Sequence, residues 1–149
     1  MLVILLLLAI FLPKGENLSL RVTGVLILTL AALFISLPFY HLSKYGQVVK
    51  GGSYMQSRQV VDRGLYTILR HPQYLGYVLL AWGFAFLRQH WAIVLLAVWD
   101  SVLFCLQARE EENACLSKFG ESYHQYCQHV PRFNFVLGLI RALIRSSRG

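Results

Sequence analysis

The sequence predicts an all-α fold, a polytopic membrane bundle of about four transmembrane helices followed by a cytosolic C-terminal helical segment. Hydrophobic residues make up 56% of the 149 residues, and the mean hydropathy is +0.52. Only 14% of the residues are charged, whereas soluble domains carry roughly 25%. Long apolar runs separate the few polar stretches, so we expect residues 1–149 to form a single membrane domain.

The first part of the chain predicts two membrane helices within residues 1–43. Residues 1–13 are apolar and uncharged, and they lack the basic start and cleavage site of a signal peptide, which favours a short first helix. Whether this helix crosses the bilayer stays open. Val22 to Leu42 is the clearest span, because about 21 helical residues cover roughly 31 Å, which matches the hydrocarbon layer. Pro38 should kink the end of this span.

The central part predicts a helical hairpin over residues 74–108. Two apolar runs, Tyr74 to Leu87 and Trp91 to Ala108, flank a short polar turn. Pro72 should begin the first of these helices, because proline's missing N–H costs nothing in a first turn. Towards the end of the chain, apolar residues recur at helical spacing beside arginines. Residues 133–149 therefore predict an amphipathic helix in the membrane interface.

The distribution of charge predicts the orientation in the membrane. Residues 43–70 hold five basic side chains and one acid, and residues 109–149 add six more Lys or Arg. Basic connections remain in the cytoplasm, so both polar segments and both termini should face that side of an integral, multi-pass protein. The net charge of +7 is then explained by topology and by contact with anionic lipid. We expect the lipid bilayer as a partner and no nucleic acid.

Chemistry-bearing side chains concentrate in residues 63–76 and 110–132. Asp100, Gln107 and Glu111 are spaced by seven and four, so they should share one helix face that points into the bundle. A purely structural bond from Asp100 to a neighbouring Ser or Trp is an equal alternative. Tyr123 and Tyr126 should also share a face, where they could stack on a ring or attract a cation, or simply anchor the interface.

Glycines and cysteines give weaker signals. Gly76 and Gly83 leave one helix face bare for a close neighbour, which is more often another helix than a ligand. The three cysteines form no Cys-x-x-Cys pair, so we expect reduced thiols. Two histidines and one cysteine between residues 124 and 129 are too weak a pattern for a metal, and no metal site is predicted.

Several blocks of residues occur in a fixed order: Gly64-x-Tyr66-x-x-x-Arg70-His71-Pro72-x-Tyr74-x-Gly76, Glu111-Glu112, Phe119-Gly120, Tyr123, Tyr126 and Val130-Pro131-Arg132. In this order they strongly resemble the integral-membrane methyltransferases, which comprise the isoprenylcysteine carboxyl methyltransferases and their phospholipid methyltransferase relatives. The resemblance covers residues 57–132, the expected catalytic core, and the N-terminal helices carry no motif.

The resemblance implies that S-adenosylmethionine binds on the cytosolic side and that the acceptor is lipidic, prenylated or otherwise embedded in the membrane. Glu112 matches the family's acid nearest the substrate, and with Arg109 it is the expected catalytic pair. The carboxyl methyltransferases carry a functional arginine where this chain has Gln107 and Ala108, and Arg109 is the nearest basic residue. The implied cofactor-binding residues are Gln59, Val60, Tyr66, Arg70, His71, Pro72, Tyr74, Gly76 and Glu111.

Four functions remain in competition at this point. Methyl transfer most like isoprenylcysteine carboxyl O-methylation comes first, with methylation of a phospholipid amine or of a small thiol or acid as its close alternative. A nicotinamide-dependent membrane reductase is another, since sterol reductases resemble this fold and carry a similar Arg-His-Pro block. A membrane adaptor without activity is the last. The sequence leaves the acceptor and the oligomeric state open.

Overall fold

The computed structural model describes residues 1–45, 60 and 62–147, with the side chains of 42–45 and 146 left aside. Most of this part of the chain is helical and none of it is a strand, which confirms the all-α prediction. A short 3₁₀ helix, Gly64–Thr67, lies between α2 and α3. The α-helices in order are α1 (Leu2–Phe11), α2 (Leu18–Tyr45), α3 (Pro72–Arg88), α4 (Trp91–Phe119), α5 (Glu121–His129) and α6 (Phe135–Ser146).

The helices group into two compact units. The first unit consists of Met1–Ile35 and Gln73–Gln107, and the second of Ser36–Pro72 and Ala108–Gly149. The long helices α2 and α4 therefore each contribute one part to each unit. The predicted boundaries at residues 43, 57 and 132 differ from these, and the division of 1–149 into helices, core and tail stays a prediction.

Two helices are long and apolar enough to cross a membrane, Leu18–His41 and Trp91–Phe119. Only 22% of the most apolar stretch of each is buried within the protein, whereas the core helix of a soluble protein would be mostly buried. Exposed apolar side chains on such helices suit a lipid surround. Helix α1 is apolar but has only 10 residues. The arrangement of four spans stays a prediction.

Close helix packing fills the bare face of α3 within the first unit. A Cβ atom on Gly83 would lie 2.6 Å from the Leu28 side chain, and one on Gly76 would lie 2.8 Å from Ile35. At Gly76 the backbone of α2 is also close, with Ile35 N and Phe34 C 3.0 Å from the same position, so α2 passes directly over this face of α3. Trp82 Nε1 donates to Ser101 Oγ at 3.1 Å and joins α3 to α4. Of the two alternatives for the glycine face, the structure supports helix packing.

The buried face of α4 differs from the predicted one. Asp100 is 2% exposed, as expected, but Gln107 is exposed, so its predicted place on the buried face is wrong. Ala108, Glu112 and Cys115 are buried instead. Rows of residues four apart are inclined to a helix axis. The covered stripe consequently turns around α4 and passes Ala108 rather than Gln107.

Helix α6 packs against the rest of the second unit through its glycine. Asn134 precedes the helix and its Oδ1 accepts from the backbone N–H of Leu137 at 3.0 Å, a standard N-cap. Gly138 is buried, and a Cβ atom there would overlap the backbone carbonyl of Ile68. Arg145 Nη2 donates to the carbonyl of Thr67 at 2.7 Å on the same side. Contact with the segment before α3 therefore requires a residue without a side chain.

Replacing Gly138 by alanine is expected to destabilise the second unit by about 1–3 kcal/mol, because the obstructing atom is backbone and has no rotamer by which to move aside. Thermal unfolding of the detergent-solubilised protein, followed by far-UV circular dichroism, measures the change. Leu143→Ala on the exposed side of α6 is the control and should alter stability by less than about 0.5 kcal/mol. Equal stability of Gly138→Ala and the unaltered chain would contradict this close contact.

Candidate active site

The Arg-His-Pro block and the Val-Pro-Arg block lie side by side in the second unit. The backbone N–H of Arg70 donates to the carbonyl of Pro131 at 3.0 Å, and that of His71 donates to the carbonyl of Arg132 at 3.4 Å. Pro72 then begins α3, as predicted. These two hydrogen bonds bring together segments that are 61 residues apart in sequence and place their side chains on a common partner, the carboxylate of Glu112.

Glu112 is the centre of a buried charge cluster. It is 6% exposed, and its Oε1 accepts from Arg70 Nη1 at 3.0 Å and from His71 Nε2 at 3.2 Å. Arg132 approaches as a fork, with Nε 2.9 Å from Oε1 and Nη2 against Oε2. A buried carboxylate requires compensation of this kind, since burial of an unpaired charge is very costly. We call these residues, together with Glu111, the charge cluster.

His71 bridges the two glutamates of the cluster. Its Nδ1 lies 3.5 Å from Glu111 Oε2 and its Nε2 lies 3.2 Å from Glu112 Oε1. A neutral imidazole has one donor, so two carboxylate partners require the doubly protonated form. Burial of this 6% exposed ring pushes the pKa of His71 down, but bonding and charge from Glu111 and Glu112 outweigh burial and raise the pKa above its ordinary 6.5. The ring of Phe133 lies 6.0 Å away.

The raised pKa predicts a pH dependence of stability. The folded protein holds the His71 proton more tightly than the unfolded chain does. The contribution of this proton to the free energy of unfolding is therefore complete below about pH 6.5, and it is lost as the pH rises through the pKa of His71 in the folded protein. We therefore expect the free energy of unfolding to fall as the pH is raised from about 6 to 9. His71→Gln should flatten this decline. A decline of the same size in His71→Gln and the unaltered chain would assign it to another group.

An aromatic core supports the charge cluster from within the second unit. Tyr66, Cys115, Tyr123, Tyr126 and Val130 are buried together. Tyr126 Oη donates to the backbone carbonyl of Tyr66 at 2.8 Å, and the rings of Tyr123 and Tyr126 are 5.7 Å apart. Burial, reinforced by the charge of Glu111, raises the pKa of Tyr66, which stays a neutral phenol. The two tyrosines of α5 are thus core residues and not exposed interface anchors.

Glycine is also required where the 3₁₀ helix begins. Gly64 has φ +62°, and a Cβ atom there would overlap the ring of His41. Only glycine adopts this backbone conformation without strain. The glycine of the Gly64-x-Tyr66 block therefore sets the chain direction that carries Tyr66 into the core.

The predicted site residues fall into several groups in the structure. Tyr66, Arg70, His71, Pro72, Glu111 and Glu112 all belong to the second unit, and Val60 packs on its aromatic core. Tyr74 and Gly76 belong to the first unit, where the ring of Tyr74 lies 5.7 Å from that of Phe104. Gln59 lies outside the described residues. The functional roles of all these residues stay predictions.

Arg132, and not the predicted Arg109, contacts Glu112. Arg109 is exposed, and within the described part of the chain it makes no ion pair with Glu112. Arg132 makes that contact instead. The signal for Arg132 was present in the sequence, since the Val-Pro-Arg block is one of the ordered motifs. The sequence could not show that Arg132 contacts Glu112, because these two residues are 20 positions apart and are separated by the end of α4 and the whole of α5.

One donor of the charge cluster lies buried without an acceptor among the described residues. Arg70 Nε is buried and has no hydrogen-bond partner among the described residues. Cys127 lies beside Arg70, and burial raises the pKa of this thiol although the neighbouring guanidinium opposes the change. Cys127 is thus a neutral thiol and no anion acceptor for Arg70. An oxyanion of a bound molecule would complete the hydrogen bonding at Nε.

A separate cavity of about 740 Å³ lies in the first unit. It is lined by apolar residues including Trp82, Phe86 and Trp91. Among the described residues, none of those predicted for catalysis or cofactor binding contributes to its wall, and its chemistry suits a lipid chain better than a charged reactant.

Comparison with known families agrees with the ordered motifs. The family model described as phospholipid methyltransferase matches residues 20–122, which is most of the chain and includes the Arg-His-Pro block and both glutamates. The chain belongs to the phospholipid methyltransferase family. Together with the two long apolar helices, membership in this family supports an integral membrane location.

Curated proteins similar to this family member carry out more than one reaction. A protein-S-isoprenylcysteine O-methyltransferase of Schizosaccharomyces pombe is 35% identical over 75 residues, 48% of this chain and 31% of that protein. A delta(14)-sterol reductase of Mus musculus is 30% identical over 76 residues, 50% of this chain and 18% of that protein. A delta(14)-sterol reductase of Dictyostelium discoideum is 32% identical over 79 residues, 52% of this chain and 17% of that protein.

The chain therefore spans less than a third of the length of each of these relatives. No solved structure matches it.

Proposed function

We propose that this protein transfers a methyl group from S-adenosylmethionine to an acceptor held in the membrane, most like the carboxyl O-methylation of an isoprenylcysteine. The observation that carries the proposal is the charge cluster, in which the Arg-His-Pro block, the paired glutamates and Arg132 form one connected site. Membership in the phospholipid methyltransferase family and likeness to an isoprenylcysteine O-methyltransferase support the same class of reaction.

The charges of the cofactor match those of the cluster. S-adenosylmethionine carries a carboxylate, an ammonium and a sulfonium, and when bound it supplies an electrophilic methyl group. Arg70 would hold the carboxylate through its buried and unpartnered Nε. Glu111 engages His71 through one of its two oxygens, so its carboxylate can also accept from the ammonium group or face the sulfonium.

The protonation state of the cluster favours an acceptor that is already ionised. His71 is protonated between two carboxylates, and Glu112 is engaged by three cationic side chains, so neither is suited to remove a proton. A carboxylate acceptor is ionised at neutral pH and needs no base. An amine or thiol acceptor would have to lose a proton first. Carboxyl O-methylation is therefore preferred over N- or S-methylation, with Arg132 and Arg70 as nearby cations for the substrate.

A nicotinamide-dependent membrane reductase is the second candidate, because two of the similar proteins are delta(14)-sterol reductases. The cluster fits this function less well. A dinucleotide brings several phosphate charges, and the carboxylates of Glu111 and Glu112 would oppose them. An adaptor without activity is the third alternative, and turnover of any acceptor excludes it.

We place this site on the cytoplasmic side of a four-span protein with both termini inside. The excess of Lys and Arg in residues 43–70 and 109–149 supports this orientation. A soluble cofactor would then arrive from the cytosol, and a lipophilic acceptor would arrive through the bilayer. In the same arrangement residues 133–149 lie in the membrane interface.

The three consecutive glutamates provide a matched test of cofactor binding. Glu111→Gln should weaken S-adenosylmethionine binding about tenfold, because a charged hydrogen bond is worth roughly 1.5 kcal/mol or more. Glu110→Gln is the control, since this neighbouring carboxylate is exposed and outside the cluster. Isothermal titration of the full chain in detergent gives both affinities. Binding of a reduced nicotinamide dinucleotide, with none of S-adenosylmethionine, would reverse the ranking of the two enzymes.

The acceptor class is tested with radiolabelled S-adenosylmethionine and two substrates, a prenylated cysteine with a free carboxylate and a phosphatidylethanolamine. We expect counts in the prenylated cysteine that mild base releases as methanol, because carboxyl methyl esters are base-labile and N-methyl products are not. Base-stable counts in the phospholipid alone would assign N-methylation instead. Dinucleotide-dependent reduction of a sterol double bond would assign the reductase.

A further inference from the structure

The cavity of the first unit lies where the start of α2, the end of α3 and the start of α4 meet. Its volume of about 740 Å³ is within the range of about 300–1,000 Å³ that is usual for ligand sites. The described residues of its wall are Leu20, Trp82, Ala85, Phe86, Gln89, Trp91, Val94 and Leu95. All of them belong to the first unit, so the wall shares no residue with the charge cluster.

One side of the cavity is open to the bilayer. Trp91 and Leu95 belong to its wall and are themselves 71% and 60% exposed. Both lie on α4, one of the two helices that are long and apolar enough to cross a membrane. Exposed apolar side chains on such a helix contact lipid. The cavity is therefore continuous with the lipid-facing surface of α4, and a hydrocarbon chain can enter it sideways.

The amide and one indole of the wall already have partners. Gln89 Oε1 accepts from the backbone N–H of Asn17 at 3.2 Å, and Gln89 Nε2 donates to the carbonyl of Asn17 at 2.9 Å. Trp82 Nε1 donates to Ser101 Oγ at 3.1 Å. A buried water molecule makes about three hydrogen bonds, whereas these two side chains direct theirs at other residues. Water is consequently a poor occupant of this cavity.

Gln89 also holds the wall of the cavity in place. Its φ of +52° is a left-handed conformation that costs a residue with a side chain roughly 1–2 kcal/mol. Its two bonds to Asn17, with the bond from Arg88 Nη1 to the carbonyl of Leu12 at 3.0 Å, tie the α3–α4 turn to the connection between α1 and α2. Strain held in this way often marks a functional site. The tie fixes the surrounding helices while no side chain fills the space between them.

We propose that this cavity binds one hydrocarbon chain of a bilayer phospholipid, at a site separate from that of the proposed methyl transfer. An empty cavity of this size forfeits dispersion contacts along its lining, and water lacks the polar partners it needs. A lipid chain restores the contacts against Trp82 and Phe86 without a cost of desolvation, because bilayer and cavity are equally apolar. No charged side chain occurs among the described residues of the wall, so the site selects a chain and not a headgroup.

The three tryptophans of the chain provide the test. Trp82 lines the cavity and is partly buried, whereas Trp99 lies on α4 outside the cavity and is 54% exposed. One protein keeps only Trp82, through Trp91→Phe with Trp99→Phe, and another keeps only Trp99, through Trp82→Phe with Trp91→Phe. Each full chain is reconstituted in phosphatidylcholine with brominated acyl chains, which quench indole fluorescence on contact. We expect Trp82 to be quenched as strongly as Trp99, although it is the less exposed ring.

Two substitutions that fill the cavity separate a bound chain from lipid at the outer surface. Val94→Phe adds volume from α4 and Leu20→Phe adds it from α2, and each should lower the quenching of Trp82 about twofold, because a filled space excludes the chain. Val98→Phe is the matched control, since it adds the same ring to α4 at a 45% exposed position outside the cavity, and it should leave Trp82 quenched. Circular dichroism checks the fold of each variant, and either filling variant suffices if the other does not fold.

Two results would overturn the proposal. Equal quenching of Trp82 in the filling variants and in Val98→Phe would indicate that lipid contacts only the outer surface. Absence of quenching of Trp82 by brominated lipid would indicate a different occupant. Acrylamide in the aqueous phase then identifies that occupant, because quenching by acrylamide would indicate water and protection from both quenchers would indicate protein, such as a second copy of this chain.

Discussion

Glu112→Gln is expected to lower the free energy of unfolding by about 3–5 kcal/mol, the cost of leaving buried cations without their anion. Three cationic side chains converge on this carboxylate, and Arg70 and His71 are themselves largely buried. Glutamine has nearly the same shape but no charge, and its NH₂ group would face N–H donors. The substitution therefore removes attraction and adds a clash of donors.

Thermal and denaturant unfolding of the detergent-solubilised protein measures this effect. Glu110→Gln removes one carboxylate two positions earlier in the same helix, from an exposed site, and should change stability by less than about 0.5 kcal/mol. Comparison of Glu112→Gln with Glu110→Gln separates the loss of the buried charge from any general effect of removing one negative charge from α4. If both variants unfold alike, Glu112 does not hold the cluster together.

Arg132→Gln should cost about 2 kcal/mol in stability and lower kcat/KM for methyl transfer about 30-fold, while Arg109→Gln should change neither appreciably. Arg132 supplies two donors to the carboxylate of Glu112, one to each oxygen. Arg109 is exposed. The comparison tests two arginines of equal charge as the functional partner of Glu112. Arg109 is the partner that its position in the sequence suggests, and Arg132 is the one that contacts Glu112 in the structure.

The Arg132→Lys variant sharpens this comparison. Lysine keeps the charge but cannot form the two-pronged contact with a carboxylate, so it should recover only part of the stability and activity. The opposite result, in which Arg109→Gln abolishes activity and Arg132→Gln does not, would restore the sequence-based assignment. Stability is measured beside activity for each variant, so that a loss of fold is not counted as a loss of catalysis.

Much of the helix plan follows from local sequence. Apolar runs near the length of a bilayer predict α2 and the first part of α4, Pro72 marks the start of α3, and apolar periodicity after Phe133 predicts α6. These are properties of neighbouring residues, namely helix length, proline chemistry and amphipathic spacing. The number of helices that cross the bilayer depends on lipid as well as on the chain and stays a prediction.

Sequence failed where a partner lay far along the chain. Gln107 has the right spacing for the face of Asp100, yet the buried stripe turns past it, because packing rows are inclined to the helix axis. Tyr123 and Tyr126 suggested exposed aromatic contacts, but the carbonyl of Tyr66 and the surrounding core enclose them. Periodicity gives the direction of a side chain and not the identity of what covers it.

The sequence by itself determined that this is a helical protein with long apolar segments and that its chemistry-bearing residues lie in two ordered blocks. Only the tertiary structure decided that Arg132, and not Arg109, joins Arg70 and His71 around Glu112. The physical reason is that helix formation and hydrophobic length are local properties, whereas neutralising a buried carboxylate depends on which charges the chain brings within hydrogen-bond distance. That choice is made by two backbone hydrogen bonds between segments 61 residues apart.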